Sequence, residues 1–167
     1  MGRDTRTIRC QCGRVACEAV GDPIVSVVCY CSDCQTGGHR IEALAGAVPV
    51  LDPDGGTPFL TFRKDRFACV EGRDLLVGHQ LGERAPTRRF VASCCNTGLF
   101  LEFGPGFWIS AYRKRFAEPL PPILWRQQVE RRQSALPLPG DVPAYRGFPM
   151  RLFWRLIRAR LAMLVGR

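Results

Sequence analysis

Through the first two thirds of the chain, apolar positions come in short runs, mostly of period two, broken by glycine, proline and aspartate. Residues 14–20 alternate and stop at Gly21-Asp22-Pro23, a turn signal, which predicts a strand over 14–20. Residues 24–28 are a β-branched run that predicts a second strand leading straight into Cys29. The small apolar stretch 41–50 predicts another, closed by the loop tip Asp52-Pro53-Asp54-Gly55-Gly56. Residues 59–62, 66–70, 75–81, 88–92 and 99–103 read as further strands, with Glu71-Gly72-Arg73-Asp74 turning between the second and third of these. No helical period lasts more than a turn or two within residues 1–112. The pattern predicts a mainly β body of short strands.

The pattern changes after Glu118. Pro119, Pro121 and Pro122, then Pro137, Pro139 and Pro143, break the chain. Residues 123–135 between them have room for a short helix. Residues 148–165 form a better one: Arg151, Arg155 and Arg158 share a narrow arc of the wheel, Leu152, Phe153, Leu156, Ile157, Leu161, Met163 and Leu164 fill the rest, and Arg160 interrupts the apolar side. The expected organisation is therefore a β domain over 1–118 and a Pro-rich linker with a basic amphipathic helical tail over 119–167.

Charge sharpens that division. The net charge is +9. Residues 1–112 are balanced, with 12 basic and 12 acidic side chains, whereas residues 113–167 carry 12 basic and three acidic ones, Glu118, Glu130 and Asp141. The excess belongs to the tail. Met1 to Arg9 is polar and lacks the apolar core of a secretory signal, and Arg6 stands where a myristoylation signal needs Ser or Thr. The expectation is a cytoplasmic, reducing setting, in which clustered cysteines are ligands or catalytic groups more often than disulfides. A total of nine cysteines, an odd number, also speaks against a complete disulfide framework.

Those cysteines run Cys10-x-Cys12, sixteen residues, Cys29-x-Cys31-x-x-Cys34, fifty-nine residues, then Cys94-Cys95. Short spacings let one loop offer two sulfurs to one ion. Cys29, Cys31 and Cys34 can hold an ion by themselves, and three thiolates leave a fourth position open, the pattern of catalytic zinc. Cys10 and Cys12 supply only two ligands and need partners from far along the chain, for which Cys94 and Cys95 are the candidates. Cys17 and Cys69, inside predicted strands, read as small buried hydrophobes. A redox reading of Cys31 and Cys34 is weakened by the extra Cys29 and by the lack of a βαβ pattern.

Several of these segments together resemble the glutathione-dependent formaldehyde-activating enzyme (GFA) family, which includes centromere protein V-like members. They are Cys10-Gln11-Cys12-Gly13-Arg14-Val15, Cys29 through Gly38, Val70-Glu71-Gly72-Arg73-Asp74-Leu75, Arg88-Arg89-Phe90 and Cys95-Asn96-Thr97-Gly98-Leu99. The likeness spans about residues 8–116. It implies a compact Mss4-like zinc-binding β fold with up to two zinc ions, a catalytic one on Cys29, Cys31 and Cys34 and a structural one on Cys10, Cys12 and Cys95. It also implies a small thiol substrate such as glutathione and carbon–sulfur lyase chemistry on its aldehyde adduct. This chain departs from the family at Ala92, where the family has a cysteine, and at Asn96, where it has glycine. Adjacent side chains on an extended segment point to opposite faces, so Cys94 takes the missing position only if the backbone turns there.

Asp33 and His39, beside the metal loop, are candidates to move protons; read plainly, they are a turn-forming Asp and a surface His. Arg40, Arg88 and Arg89 suit a substrate carboxylate or, more plainly, a solvated face. The competing function is a non-enzymatic zinc module whose basic tail docks on a partner or an anionic surface. For residues 148–165 the favoured reading is packing on the β body or on a second copy, with the arginines in water. A thiol-based sensor is a third reading. The tail has no recognisable nucleic-acid module.

Overall fold

The computed structural model describes residues 4–117 and 119–166; Met1–Arg3, Arg167 and the expected boundary residue Glu118 lie outside them. The mainly β expectation holds. Among the described residues ten strands make two sheets. Strands β1 (Thr5–Arg9), β2 (Ala16–Val20) and β5 (Phe67–Glu71) form a small antiparallel sheet, ordered β1-β2-β5. The large sheet contains β3 (Val25–Cys29), β4 (Thr57–Arg63), β6 (Leu76–His79), β7 (Thr87–Ala92), β8 (Thr97–Phe103), β9 (Trp108–Tyr112) and β10 (Trp125–Gln127). Its order is β10-β3-β4-β9-β8-β7-β6, with β10 parallel to β3 and every other neighbour antiparallel.

Strand alternation decides which residues meet. On one face of the large sheet Leu60, Phe62, Phe100 and Ile109 pack with Ile8, Cys17 and Ala19 of the small sheet, forming the main core. The residues between them point the other way: Phe59 and Leu101 join Cys29, Ile41, Val50 and Tyr112 in a second cluster. That second face carries the functional region. β3 and β4 are buried at every position, as expected of central strands covered on both sides.

Three expectations are corrected. Residues 41–50 do not form a strand; α1 (Ser32–Glu42) ends there and a loop follows. α1 also breaks the expectation of no sustained helix before residue 112. Its sequence contains Gly37-Gly38, each costing about 1 kcal/mol relative to Ala inside a helix. Tertiary packing overrides that cost: a Cβ on Gly37 would overlap the Arg89 guanidinium, and one on Gly38 would overlap Leu51. The helix expected over 123–135 is instead β10 followed by a single 3-10 turn, Val129–Arg131. β10 extends the sheet beside β3, with Trp125 opposite Val27 and Gln127 opposite Cys29. Trp125 is fully buried, and buried Arg126 is ion-paired to Asp141 at 2.8 Å. The last helix, α2 (Met150–Leu164), forms as expected. Among the described residues no helix is long and apolar enough to cross a membrane.

Candidate functional site

Seven of the nine cysteines gather into two groups. Cys10, Cys12, Cys94 and Cys95 bring their sulfurs within 4.8 Å of one another, and so do Cys29, Cys31 and Cys34. Cys17 and Cys69 face each other across β2 and β5 and join neither group. Cys17 is fully buried, and burial pushes its thiol well up.

The four-thiol group is built by two turns. After β1 the chain folds back so that Cys10 N–H donates to the Val15 carbonyl and Gly13 N–H to the Cys10 carbonyl, each at 3.0 Å. Val15 N–H then donates to Cys10 Sγ at 3.2 Å. From the far side, β7 ends at Ala92 and the backbone turns through Ser93–Asn96 before β8 begins. Asn96 has φ +53°, a conformation Asn tolerates better than most residues. This turn brings the Cys94 sulfur beside those of Cys10 and Cys12. Cys10 Sγ lies 3.5 Å from Cys12 Sγ and 3.8 Å from Cys94 Sγ, Cys12 and Cys94 are 3.3 Å apart, and Cys94 and Cys95 are 3.9 Å apart. Four sulfurs at about 2.3 Å from one tetrahedral ion stand about 3.8 Å apart, so the spacing fits a metal. Cys12 is lowered to about 6 by hydrogen bonds from the Arg14 amide and guanidinium, while burial, then Cys12 and Cys10, lift Cys94 to about 12.

The three-thiol group sits where β3 runs into α1. Cys31 is the helix N-cap residue, with Cys29 on the strand before it and Cys34 in the first helical turn. The trio concentrates negative charge on Cys31. Hydrogen bonds from Cys29 and Cys34 lower it to about 3, with the Cys34 and Asp33 amides at the helix N-terminus adding to the effect. Cys34 is raised in turn, first by Cys29 and then by Cys31. Two contacts fix the loop and helix. Tyr30, between two of the cysteines, donates its hydroxyl proton to Asp54 at 2.7 Å. Buried Arg89 donates to the Asp33 carbonyl at 2.6 Å.

This trio opens into a cavity of about 450 Å³. Alternate positions of β3, namely Val25, Val27 and Cys29, line it together with Phe59 and Thr61 of β4, Leu101 of β8 and Ser110 of β9. Its roof is Phe148 with Leu152, Phe153 and Leu156 of α2. Thr61 and Ser110 hydroxyls lie 3.1 Å apart, and Gln127 completes the polar part of the lining.

Several expected residues stand elsewhere. Neither Asp33 nor His39 lines this cavity; both are exposed on α1. His39 faces a different, polar cleft of about 650 Å³ with Gln35, Glu42 and Lys114, which touches no cysteine. Arg40 donates to the Leu81 carbonyl at 3.0 Å, Arg88 is exposed, and Arg89 is a buried support under α1 rather than part of a solvated face. Thr61, Ser110, Gln127 and the α2 roof escaped the sequence reading. The signal that finds them is strand parity: positions sharing the parity of Cys29 on the paired strands share its face.

On α2, all four arginines are exposed, as expected, and three of them also touch the body. Arg151 lies over the Trp125 and Tyr145 rings, Arg155 donates to the Ile24 carbonyl at 3.2 Å, and Arg160 lies over Phe107. The large apolar side chains Met150, Phe153, Trp154, Ile157, Leu161 and Leu164 of α2 are exposed as well.

The family model described as "Glutathione-dependent formaldehyde-activating enzyme" matches residues 5–49, a segment holding Cys10, Cys12 and the whole three-thiol group. The match and the two groups fit a zinc-binding, GFA-like protein. No curated protein matches the chain. A crystal structure of a Rhodobacter sphaeroides protein is 17% identical, aligned over 83% of this chain and 98% of its own, with a TM-score of 0.49, a likeness too loose to carry the fold across.

Proposed function

We propose that this protein is a zinc-dependent carbon–sulfur lyase of the GFA type, interconverting a thiol–aldehyde adduct with the free thiol and aldehyde. One observation carries the reading. Cys29, Cys31 and Cys34 supply three thiols at the floor of a cavity, and three donors with an open position are the pattern of catalytic zinc. Four donors are the pattern of structural zinc, which assigns that role to Cys10, Cys12, Cys94 and Cys95. When bound, zinc supplies the Lewis acidity that keeps a substrate thiol ionised at neutral pH. The chain's own residues bind and orient the adduct and restrict water. In cleavage, the adduct hydroxyl loses its proton to water, its oxygen forms the aldehyde carbonyl, and the C–S electron pair leaves with sulfur; addition is the reverse. The Thr61 and Ser110 hydroxyls, which line the same cavity, are the neutral donors this reading offers to that oxygen.

The test pairs zinc content with turnover in the full chain. Wild type is expected to hold about two zinc ions per chain, and Cys34→Ser about one, with adduct cleavage falling on the order of a hundredfold or more. Wild-type protein whose only zinc depends on Cys94 would overturn the lyase reading.

A second reading, a zinc-stabilised binding module docking through α2, is favoured by the exposed Trp154, Ile157, Leu161 and Leu164 beside a tail with no acidic side chain after Asp141. It requires salt-sensitive cosedimentation with anionic vesicles that is lost in Trp154→Glu. No binding to vesicles of either charge removes the anionic-surface form of this reading.

A further inference from the structure

The cavity's lining bears on what kind of substrate it takes. Apart from the cysteines, no ionisable side chain lines it. The three arginines that the sequence offered for substrate carboxylates are engaged or directed elsewhere. The polar groups that remain are neutral: the Thr61–Ser110 pair, and Gln127, whose side-chain oxygen accepts from Trp125 Nε1 at 3.0 Å. Glutathione brings two carboxylates and an ammonium group. Burying any of these without a countercharge is strongly unfavourable. An apolar ligand, by contrast, gains from contact with Phe59, Leu101, Leu152 and Leu156. The space is ample, at about three times the ~150 Å³ cavity that holds one benzene.

Resting on the lyase reading of the trio, we infer that the site is specific for a small, uncharged, apolar thiol and its aldehyde adduct rather than for glutathione. The specificity lies in the roof. Leu152, Phe153 and Leu156 belong to α2, far outside the segment 5–49 that matches the family. The same thiol trio can thus serve a different substrate because a C-terminal helix adds an apolar wall above it. The roof also explains why the exposed apolar side chains of α2 coexist with half-buried ones: Leu152 and Leu156 face the cavity, while Trp154, Ile157 and Leu161 face away.

The experiment is titration calorimetry on the zinc-loaded full chain with benzyl mercaptan, benzyl alcohol and glutathione, on wild type and Leu156→Trp. Benzyl mercaptan is expected to bind at least on the order of tenfold tighter than glutathione, since one unpaired buried charge costs more than the 1.4 kcal/mol that a factor of ten requires. Leu156→Trp, which fills the chamber without touching the trio, is expected to weaken mercaptan binding by a similar factor while zinc content stays constant. Glutathione binding as tightly as the mercaptan, or an affinity unmoved by Leu156→Trp, overturns the inference. Equal, Leu156-dependent affinity for mercaptan and alcohol supports the apolar chamber and instead overturns the thiol chemistry on which the lyase reading depends.

Discussion

Cys10, Cys12, Cys94 and Cys95 are drawn together from residues 84 positions apart, held between two turns with all four sulfurs within 4.8 Å of one another and with Arg14 donating to the Cys94 carbonyl beside them. Cys29, Cys31 and Cys34 come from six consecutive residues at a strand–helix junction and face an open chamber. The first group joins distant parts of the chain and offers four donors. The second joins nothing distant and leaves room. On the proposed lyase reading, donor number and surroundings, with the same side chain in both places, are what divide holding the fold from doing chemistry.

Breaking the first group should therefore cost most. Cys94→Ser is expected to lose one zinc and lower Tm on the order of 10 °C, at about 2–4 °C per kcal/mol for a chain of this size. Cys34→Ser should lower it by less than about a third of that, both read by calorimetry. Equal losses would erase the distinction. Gly37→Ala sharpens it from the other side. Its helix-propensity gain of about 1 kcal/mol is opposed by overlap with Arg89, so the expected net effect is destabilisation of about 1–3 kcal/mol. Zinc should then be lost from the α1 trio alone, measured by metal analysis, because Cys34 moves with the helix. An increase in stability would mean that Arg89 yields and does not set the position of α1. The smallest effect is expected for His39→Ala, which should change adduct turnover less than about twofold, since the side chain opens onto the polar cleft and not the thiol chamber. A large fall would bring His39 into the chemistry.

Much of this was legible in the sequence. β-branched runs and turn residues marked β2, β3, β4, β5, β7 and β8, and the cysteine spacing marked the groups. α1 was hidden because Gly37 and Gly38 depress local helix propensity, while the contacts that demand them, Arg89 and Leu51, come from distant positions. β10 was hidden among prolines, where only pairing with β3 makes a three-residue strand stable. The geometry of Cys94 was open because pattern alone cannot separate a strand from a turn there; Asn96 was the local clue. The roof was invisible for another reason. The periodicity of α2 marked a helix and an apolar face, but not that Arg151 and Arg155 would turn onto the body and leave much of that face outward.

α2 has no fully buried residue anywhere along its length. Its amide protons should therefore exchange with solvent through a local opening far less costly than global unfolding, while those of β3 and β4 wait for the whole sheet to come apart.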